Sequence, residues 1–273
     1  MALPRRHHKA LLAFALLLAA SMRCGGEEGK ESIKRIEPDP YAQRRAEMVR
    51  EDIARGSILG RTPVKHKAVL EVMRTVPRHE FVPPNLVDRA YADSPLPIGH
   101  GQTISQPYIV AYMTEMLEPD EDDVVLEIGT GSGYQAAVLA EIVKEVYTIE
   151  IVEELAKQAT ERLKRLEYEN VHTRFGDGYF GWTEHAPFDA IVVTAAASHI
   201  PPPLIEQLKP GGRMAIPVGP PMRVQSLMLV EKNEDGAVRQ RNVMAVRFVP
   251  LTRAREKEES APSTKERTIS LIE

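Results

Sequence analysis

The chain has 273 residues, of which 43% are hydrophobic and 27% are charged, and its formal net charge is −4. This is the composition of a globular protein long enough for one large domain with extensions. Mild acidity argues against a nucleic-acid partner, which would favour a basic face. The single cysteine, Cys24, excludes an intrachain disulfide and a thiolate cluster, and the histidines form no H-E-x-x-H motif, so no metal is expected.

Residues 1–23 are predicted to be a signal-like segment. A basic flank at Arg5–Lys9 precedes an apolar run, Ala10–Ala20, that is too short to span a bilayer but fits the core of a signal peptide. Cys24 then precedes two glycines, which hints at lipid attachment. The alternative is an unstructured extension or a misassigned start. Residues 24–40 are polar and are predicted to be a linker.

Helical periodicity comes next in the chain. Apolar residues at helical spacing predict amphipathic helices at 41–55 and 65–75. A third helix is predicted at 107–117, with a proline in its first turn. These segments form an N-terminal helical extension to the region that follows.

From residue 124 the pattern alternates between short apolar runs and helical segments, which predicts a mainly parallel, doubly wound α/β sheet. The predicted strands are 124–128, 144–149, 171–174, 188–194 and 213–217, and the predicted helices are 134–142, 152–167 and 201–208. Two further strands, 225–232 and 239–249, flank the turn sequence Asn233–Gly236 and predict an antiparallel hairpin. The predicted fold class is a Rossmann-like α/β domain over residues 41–253, with a charged tail at 254–273 that is predicted to be disordered.

The most informative motif lies between the first of these strands and its helix. Glu127 ends the apolar run, and Gly129, Gly131 and Gly133 follow at every second position. A strand, a glycine turn and a helix let a nucleotide-like ligand approach bare backbone. The G-x-G-x-G spacing and the preceding acid favour S-adenosylmethionine (SAM), which carries an ammonium and ribose hydroxyls but no pyrophosphate.

Glu150 ends the next predicted strand, about 20 residues after Gly129. A carboxylate at this place accepts hydrogen bonds from ribose hydroxyls. The alternative is an acid at a helix N-terminus, favoured by the helix dipole. The two roles are compatible.

Six sequence blocks closely resemble the protein-L-isoaspartate (D-aspartate) O-methyltransferase family, and the resemblance as a whole runs from about Met48 to Thr252. Gln102–Pro107, with the sequence Gln-Thr-Ile-Ser-Gln-Pro, is the block most specific to that family. The blocks are Ser94–Pro107, Val124–Tyr134, Gly176–Gly178, Pro187–Ala195, Leu208–Gly212 and Arg247–Thr252.

The resemblance implies transfer of the SAM methyl group to the free carboxylate of L-isoaspartyl, and D-aspartyl, residues in damaged proteins. The ester then collapses to a succinimide that hydrolyses partly back to aspartate. Two alternatives remain: a SAM-dependent methyltransferase of another acceptor, and a tethered binding protein without catalysis.

Site residues follow from the motifs and the resemblance together. Ser105 is the expected catalytic residue, and it directly precedes a helix start, where it would also serve as a plain N-cap. Ser105, Val249 and Pro250 are expected to bind the substrate. The expected cofactor-binding residues are Thr103, Ile104, Glu127, Gly129, Thr130, Gly131, Ser132, Gly133, Glu150, Asp177, Gly178 and Thr252.

The expected partners are isoaspartyl-containing proteins and peptides, with no nucleic acid, and the chain is expected to be a monomer. Membrane contact is expected only through residues 1–23, if they stay uncleaved, or through a lipid on Cys24. The family and the supply of SAM favour the cytoplasm, whereas residues 1–23 favour export or tethering.

Overall fold

The computed structural model describes residues 39–55, 61–221 and 223–254. The signal-like segment, Cys24, nearly all of the predicted linker and the charged tail after Ala254 lie outside the described residues. Within them, no helix is both long and apolar enough to cross a membrane.

The predicted doubly wound sheet is confirmed. Its strand order is β5-β4-β3-β6-β7-β8-β9, parallel from β5 to β7 and antiparallel from β7 to β9. The strands are β3 (Val124–Ile128), β4 (Glu145–Glu150), β5 (Val171–Phe175), β6 (Phe188–Val193), β7 (Leu208–Val218), β8 (Gln225–Lys232) and β9 (Val238–Val246). A separate antiparallel pair joins β1 (Leu96–Gly99) to β2 (Gln102–Ile104).

The predicted helices are confirmed with slightly shorter bounds. They are α1 (Ala42–Met48), α2 (Lys67–Thr75), α3 (Pro107–Met116), α4 (Tyr134–Ala140), α5 (Glu153–Arg165) and α6 (Pro202–Gln207). A π-helical segment, Val49–Ala54, directly continues α1. The helix predicted at 41–55 is therefore continuous, with α-helical geometry in its first half and π-helical geometry in its second half. Short 3₁₀ helices lie at Arg78–Phe81, Pro84–Arg89, Gly178–Phe180 and Thr183–His185.

The core has two parts, one on each face of the sheet. Neighbouring strand residues alternate between them, as side chains of a pleated strand must. Val125 packs with the N-terminal helices and α4, whereas Leu126 packs on the opposite face with α6. The N-terminal helical extension is therefore part of the main core.

The strand order places a crevice above β3. The chain runs outward from β3 to β4 and β5, and then crosses back to pair β6 with the other side of β3. Ligands of open α/β sheets bind beyond the carboxyl ends of the strands at such a reversal. The glycine loop follows β3 directly and lies in this crevice.

Three details differ from the prediction. No strands were predicted for the β1–β2 hairpin, because strands of four and three residues are too short to show an alternating hydrophobic pattern. β7 begins at Leu208, at the predicted end of the helix. The last strand ends at Val246 rather than at residue 249, because the chain then turns back over β6, where Pro250 forms a parallel bridge with Ala196.

The domain boundary near residue 40 stays a prediction, which the contacts of Asp39 sharpen. Its carboxylate accepts hydrogen bonds from the Tyr41 amide at 2.8 Å and from Arg45, which is buried, at 2.6 Å.

We expect a chain that begins at Asp39 to match the melting temperature and SAM affinity of the full chain. In that shortened chain, Asp39→Ala should lower the melting temperature, because Arg45 loses its carboxylate. Loss of SAM binding on truncation alone would refute the boundary.

Candidate functional site

The glycine loop is held in a conformation that suits glycine. Gly129, Gly131 and Gly133 have φ angles of 97°, 51° and 86°, in the left-handed region that other residues rarely adopt. The Gly129 amide donates to the Ile149 carbonyl at 2.8 Å, and Gly133 is the N-cap of α4. The loop therefore runs tightly from β3 into α4 and leaves its outer side as bare backbone.

Glu150 connects this loop to the start of α5. One carboxylate oxygen accepts from the Gly131 amide at 2.8 Å, and the other accepts from the Val152 amide at 2.9 Å. Val152 is the N-cap residue of α5, so the helix-start role foreseen for Glu150 is present. Each oxygen keeps a second lone pair, which a hydroxyl donor can use.

Glu127 lies beneath the loop and is fully buried. Thr148 donates a hydrogen bond to its Oε2 at 2.6 Å, whereas Oε1 has no partner among the described residues. Burial raises the pKa of Glu127 to about 8, the Thr148 hydrogen bond opposes the shift, and the charge of Glu150 adds to it. A buried acceptor without a partner is costly, and a cationic donor would relieve that cost.

Thr194, just after β6, fixes the other side of the loop. Its hydroxyl lies 3.0 Å from the Ile128 carbonyl and 2.7 Å from the Gly129 carbonyl, positioned to donate to either. A Cβ on Gly129 would lie only 2.5 Å from the Thr194 Oγ1 atom, so the contact requires glycine. Thr194 was not predicted as a site residue, although its place at the carboxyl end of a strand beside the crevice could have indicated it.

A pocket with a cavity volume of about 50 Å³ opens above β3 and β4. Thr103, Gly129, Gly131, Glu150, Gly178 and Thr252 of the expected cofactor set line it. Val249 and Pro250, expected at the substrate, also line it, together with the unpredicted Gln102, Ile128, Ile149, Ile151, Thr194, Ala195 and Leu251. We call this space the cofactor pocket.

The remaining expected cofactor residues lie behind or beside this pocket. Ile104 is a core residue, and Thr130 bonds the Thr148 hydroxyl at 2.6 Å. Ser132 faces an adjoining cavity, which Gly131 also lines, so the two spaces meet at the glycine loop.

Asp177 is already engaged by the end of the described chain. Its Oδ1 accepts from the Tyr179 amide at 3.0 Å, and its Oδ2 accepts from Arg253 Nε at 2.9 Å and from the Ala254 amide at 3.1 Å. The Arg253 guanidinium also stacks on the Tyr179 ring at 3.7 Å. The expected contact of Asp177 with the cofactor stays a prediction.

A second, wider space with a cavity volume of about 390 Å³ adjoins the cofactor pocket, and we call it the acceptor groove. Its lining residues are Arg61, Pro95, Thr103, Ser105, Gln106, Ile109, Thr194, Val224, Met244, Ala245, Val246, Arg247, Phe248 and Val249. Thr103, Thr194 and Val249 line both spaces, so the two open into each other there. Ser105 lies in the groove, and no described residue forms a hydrogen bond with its hydroxyl.

The interpretation of Ser105 as a helix cap is wrong. The N-cap residue of α3 is Gln106, and it makes no side-chain cap bond. Asp93 caps the helix instead, because its Oδ1 accepts from the Tyr108 amide at 3.0 Å. Its Oδ2 binds Gln106 and Arg61, each at 2.6 Å. The Ser105 hydroxyl is thus left available, and Asp93 was not predicted because it acts from a distant loop.

The hydrogen-bonding groups of the site fit SAM. The Glu127 oxygen without a partner suits an ammonium, Glu150 suits hydroxyls, and a Cβ on Gly178 would lie 2.4 Å from the Ile128 Cγ2 atom, so bare backbone is needed there too. The sheet order, the glycine loop and the two acids define a SAM-dependent methyltransferase.

Comparison with known proteins identifies the family. Residues 46–256 match the profile of the protein-L-isoaspartate (D-aspartate) O-methyltransferases. The chain is 59% identical to protein-L-isoaspartate O-methyltransferase 2 of Syntrophobacter fumaroxidans, over 89% of this chain and 98% of that one. It is 60% identical to protein-L-isoaspartate O-methyltransferase 1 of Cupriavidus necator, over 78% and 83%. The chain belongs to this family.

Comparison with solved structures supports the same family assignment. One protein-L-isoaspartate O-methyltransferase matches with a TM-score of 0.64 and 31% identity, over 68% of this chain and 61% of that one. A second match is a putative protein-L-isoaspartate O-methyltransferase from Plasmodium falciparum in complex with S-adenosyl-L-homocysteine. It has a TM-score of 0.60 and 25% identity, over 70% of this chain and 93% of that one.

Glu150→Gln should weaken SAM binding by roughly 1.5–3 kcal/mol, because the amide replaces one acceptor oxygen with a donor group. Isothermal titration measures this directly. Glu145→Gln removes the same charge at the start of the same strand and serves as the matched control. An unchanged dissociation constant in Glu150→Gln would leave Glu150 with its structural role alone.

Glu127 should make the ligand-free protein less stable as pH rises. Between the ordinary pKa of 4.5 and the folded value of about 8, the folded state retains a proton that the unfolded state has released. Stability therefore falls with pH across this window and levels off above it. Glu127→Gln lacks this contribution, so its unfolding free energy relative to the original chain should rise between pH 5.5 and 8.5. Urea denaturation tests this, and parallel pH profiles would contradict it.

Proposed function

We propose that the chain methylates the free carboxylate of L-isoaspartyl, and D-aspartyl, residues in damaged proteins, with SAM as methyl donor. When bound, SAM supplies an electrophilic methyl group on a sulfonium. The ester formed on the acceptor is the step that leads, through a succinimide, partly back to aspartate. The family assignment and the layout of the two connected spaces support this function.

One observation carries the proposal furthest: among its described lining residues, the acceptor groove contains no His, Lys, Cys, Asp or Glu. An amine or hydroxyl acceptor must lose a proton during methylation and needs a base nearby. A carboxylate has a pKa near 4 and is already ionised at pH 7. The groove therefore suits an acceptor that brings its own negative charge.

In this proposal, residues in and around the cofactor pocket bind and orient SAM. Glu127 Oε1 accepts from the ammonium, and Glu150 accepts from ribose hydroxyls while it holds the glycine loop. Asp177 and Gly178 border the adenine, and Thr252 closes the far side. A bound cation would also stabilise the ionised form of Glu127, whose pKa burial raises to about 8.

Ser105 is the proposed catalytic residue. It lies in the groove near the junction that Thr103, Thr194 and Val249 form with the cofactor pocket. Its hydroxyl donates to the acceptor carboxylate and holds one oxygen in line with the methyl group. Val249 and Pro250 border the acceptor from the other side. Positioning of this kind removes entropy from the barrier and requires no proton transfer.

The remaining partner assignments rest on sequence. The chain acts as a monomer on isoaspartyl proteins, and any membrane contact is made through residues 1–23 or a lipid on Cys24. The cytoplasm supplies SAM, and export or tethering is the alternative that residues 1–23 favour. Size-exclusion chromatography tests the first point, and fractionation of cells tests the second.

A radiolabelled-SAM assay tests the main proposal. One peptide is prepared in two forms that differ only in an aspartyl or an isoaspartyl linkage. We expect base-labile methyl ester on the isoaspartyl form alone. Label on both forms, or label that resists mild base, would favour the methyltransferase of another acceptor. No label on either form, with SAM bound, would favour the binding protein without catalysis.

Ser105→Ala should lower the methylation rate and leave SAM affinity nearly intact, because the hydroxyl orients the acceptor and not the cofactor. Single-turnover rates and isothermal titration separate the two effects. Ser226→Ala, on β8 and outside both spaces, is the matched control. An equal loss of rate and SAM affinity would mean that the substitution only disturbs the loop before α3.

The chemical step should be nearly independent of pH from about 6 to 8, because the acceptor carboxylate stays ionised there. Single-turnover rates at saturating SAM, with an isoaspartyl peptide, test this. A slope near one in log rate against pH would refute the carboxylate mechanism.

A further inference from the structure

The acceptor groove carries an uneven charge. Its lining contains two arginines, Arg61 and Arg247, and no acid among the described residues. The chain as a whole has a formal net charge of −4. The groove is therefore cationic on an acidic protein, and the two arginines must be considered separately.

Arg61 is neutralised. Its Nη1 atom lies 2.6 Å from Asp93 Oδ2, and both side chains are mostly buried. Its guanidinium also lies 5.0 Å from the centre of the Tyr108 ring. With its charge paired and its face covered, Arg61 forms part of the groove wall.

Arg247 is different. It is exposed, and no described residue forms an ion pair or hydrogen bond with its side chain. It follows the end of β9, between groove residues Val246 and Phe248. A guanidinium that lines a groove and lacks a partner is available to an anion on the ligand.

The position of Arg247 along the groove indicates which part of a bound peptide would lie beside it. Arg247 does not line the cofactor pocket, whereas Val249, two residues later, lines both spaces. Two residues of chain span at most about 7 Å. The reacting carboxylate must lie at the junction, so Arg247 faces a neighbouring part of an extended peptide, about one or two residues from the acceptor.

Resting on the proposed function, we propose that Arg247 determines substrate specificity by pairing with a carboxylate side chain one or two residues from the isoaspartyl residue. The favoured substrates are damaged sites in acidic sequence. The pair forms before and during methyl transfer alike, so it lowers KM and leaves kcat unchanged.

The test uses three isoaspartyl peptides that differ only at the positions one and two residues from the acceptor, which hold Gln, Glu or Lys. For the original chain we expect the KM of the Glu peptide to be about two- to fivefold below that of the Gln peptide, the size of an exposed ion pair. The Lys peptide should have the highest KM. The preference should vanish at about 0.5 M salt, since screening removes exposed pairs.

Variants assign the preference to one residue. Arg247→Gln should bring the KM ratio of the Glu and Gln peptides close to one, and Arg247→Lys should retain part of it. Arg239→Gln removes the same charge from β9 at an exposed position outside the groove, and it should keep the full ratio. An unchanged ratio in Arg247→Gln, or no preference in the original chain, overturns the inference.

A binding measurement separates this inference from the proposed function. Fluorescence anisotropy of labelled peptides, with S-adenosylhomocysteine present, reports the same preference without turnover. Binding that follows the Arg247 charge supports the inference even when no methyl ester forms, a result that would contradict only the proposed function. Turnover and binding that both ignore the flanking charge overturn the inference and leave the proposed function intact.

Discussion

The rest of the site depends on the double hydrogen bond of the Glu150 carboxylate. One side chain satisfies the amide in the middle of the glycine loop and the amide at the N-cap of the next helix. From the opposite side, the Thr194 hydroxyl contacts the carbonyls at the end of β3 and the start of the loop. The loop is thus held by both neighbours of β3 in the sheet. A backbone fixed in this way can meet a ligand without reorganising.

The two acids of the site show how environment separates chemically similar groups. Glu150 has both oxygens satisfied by backbone amides, whereas Glu127 is buried with one oxygen unpaired and a pKa raised to about 8. Glu150 therefore holds the glycine loop and the start of α5 in place. The Oε1 atom of Glu127 is a hydrogen-bond acceptor without a partner among the described residues, and a bound cation would favour the ionised form of this carboxyl group. The fold tolerates one unsatisfied buried carboxylate oxygen beneath the glycine loop.

Much of this architecture could be predicted from sequence because it is local. Strand periodicity predicted the strands of the sheet, and the glycine spacing predicted the tight turn between β3 and α4. The β1–β2 hairpin was missed because strands of three and four residues carry no period. Asp93 and Thr194 were missed for another reason, since each acts on a segment distant in sequence. The end of β9 was misplaced because the return over β6 depends on tertiary pairing.

That return over β6 has a consequence for ligand design. The single segment from Met244 to Thr252 supplies walls to both the acceptor groove and the cofactor pocket, and Val249 belongs to both. Thr103, Thr194 and Val249 line both spaces, so the two open into each other and one molecule can extend through both. A bisubstrate compound that joins an adenosine to an aspartyl peptide through the position of the transferred methyl would gain the effective concentration of tethered ligands. Its peptide half would carry the selectivity, because the adenosine half meets features common to many methyltransferases.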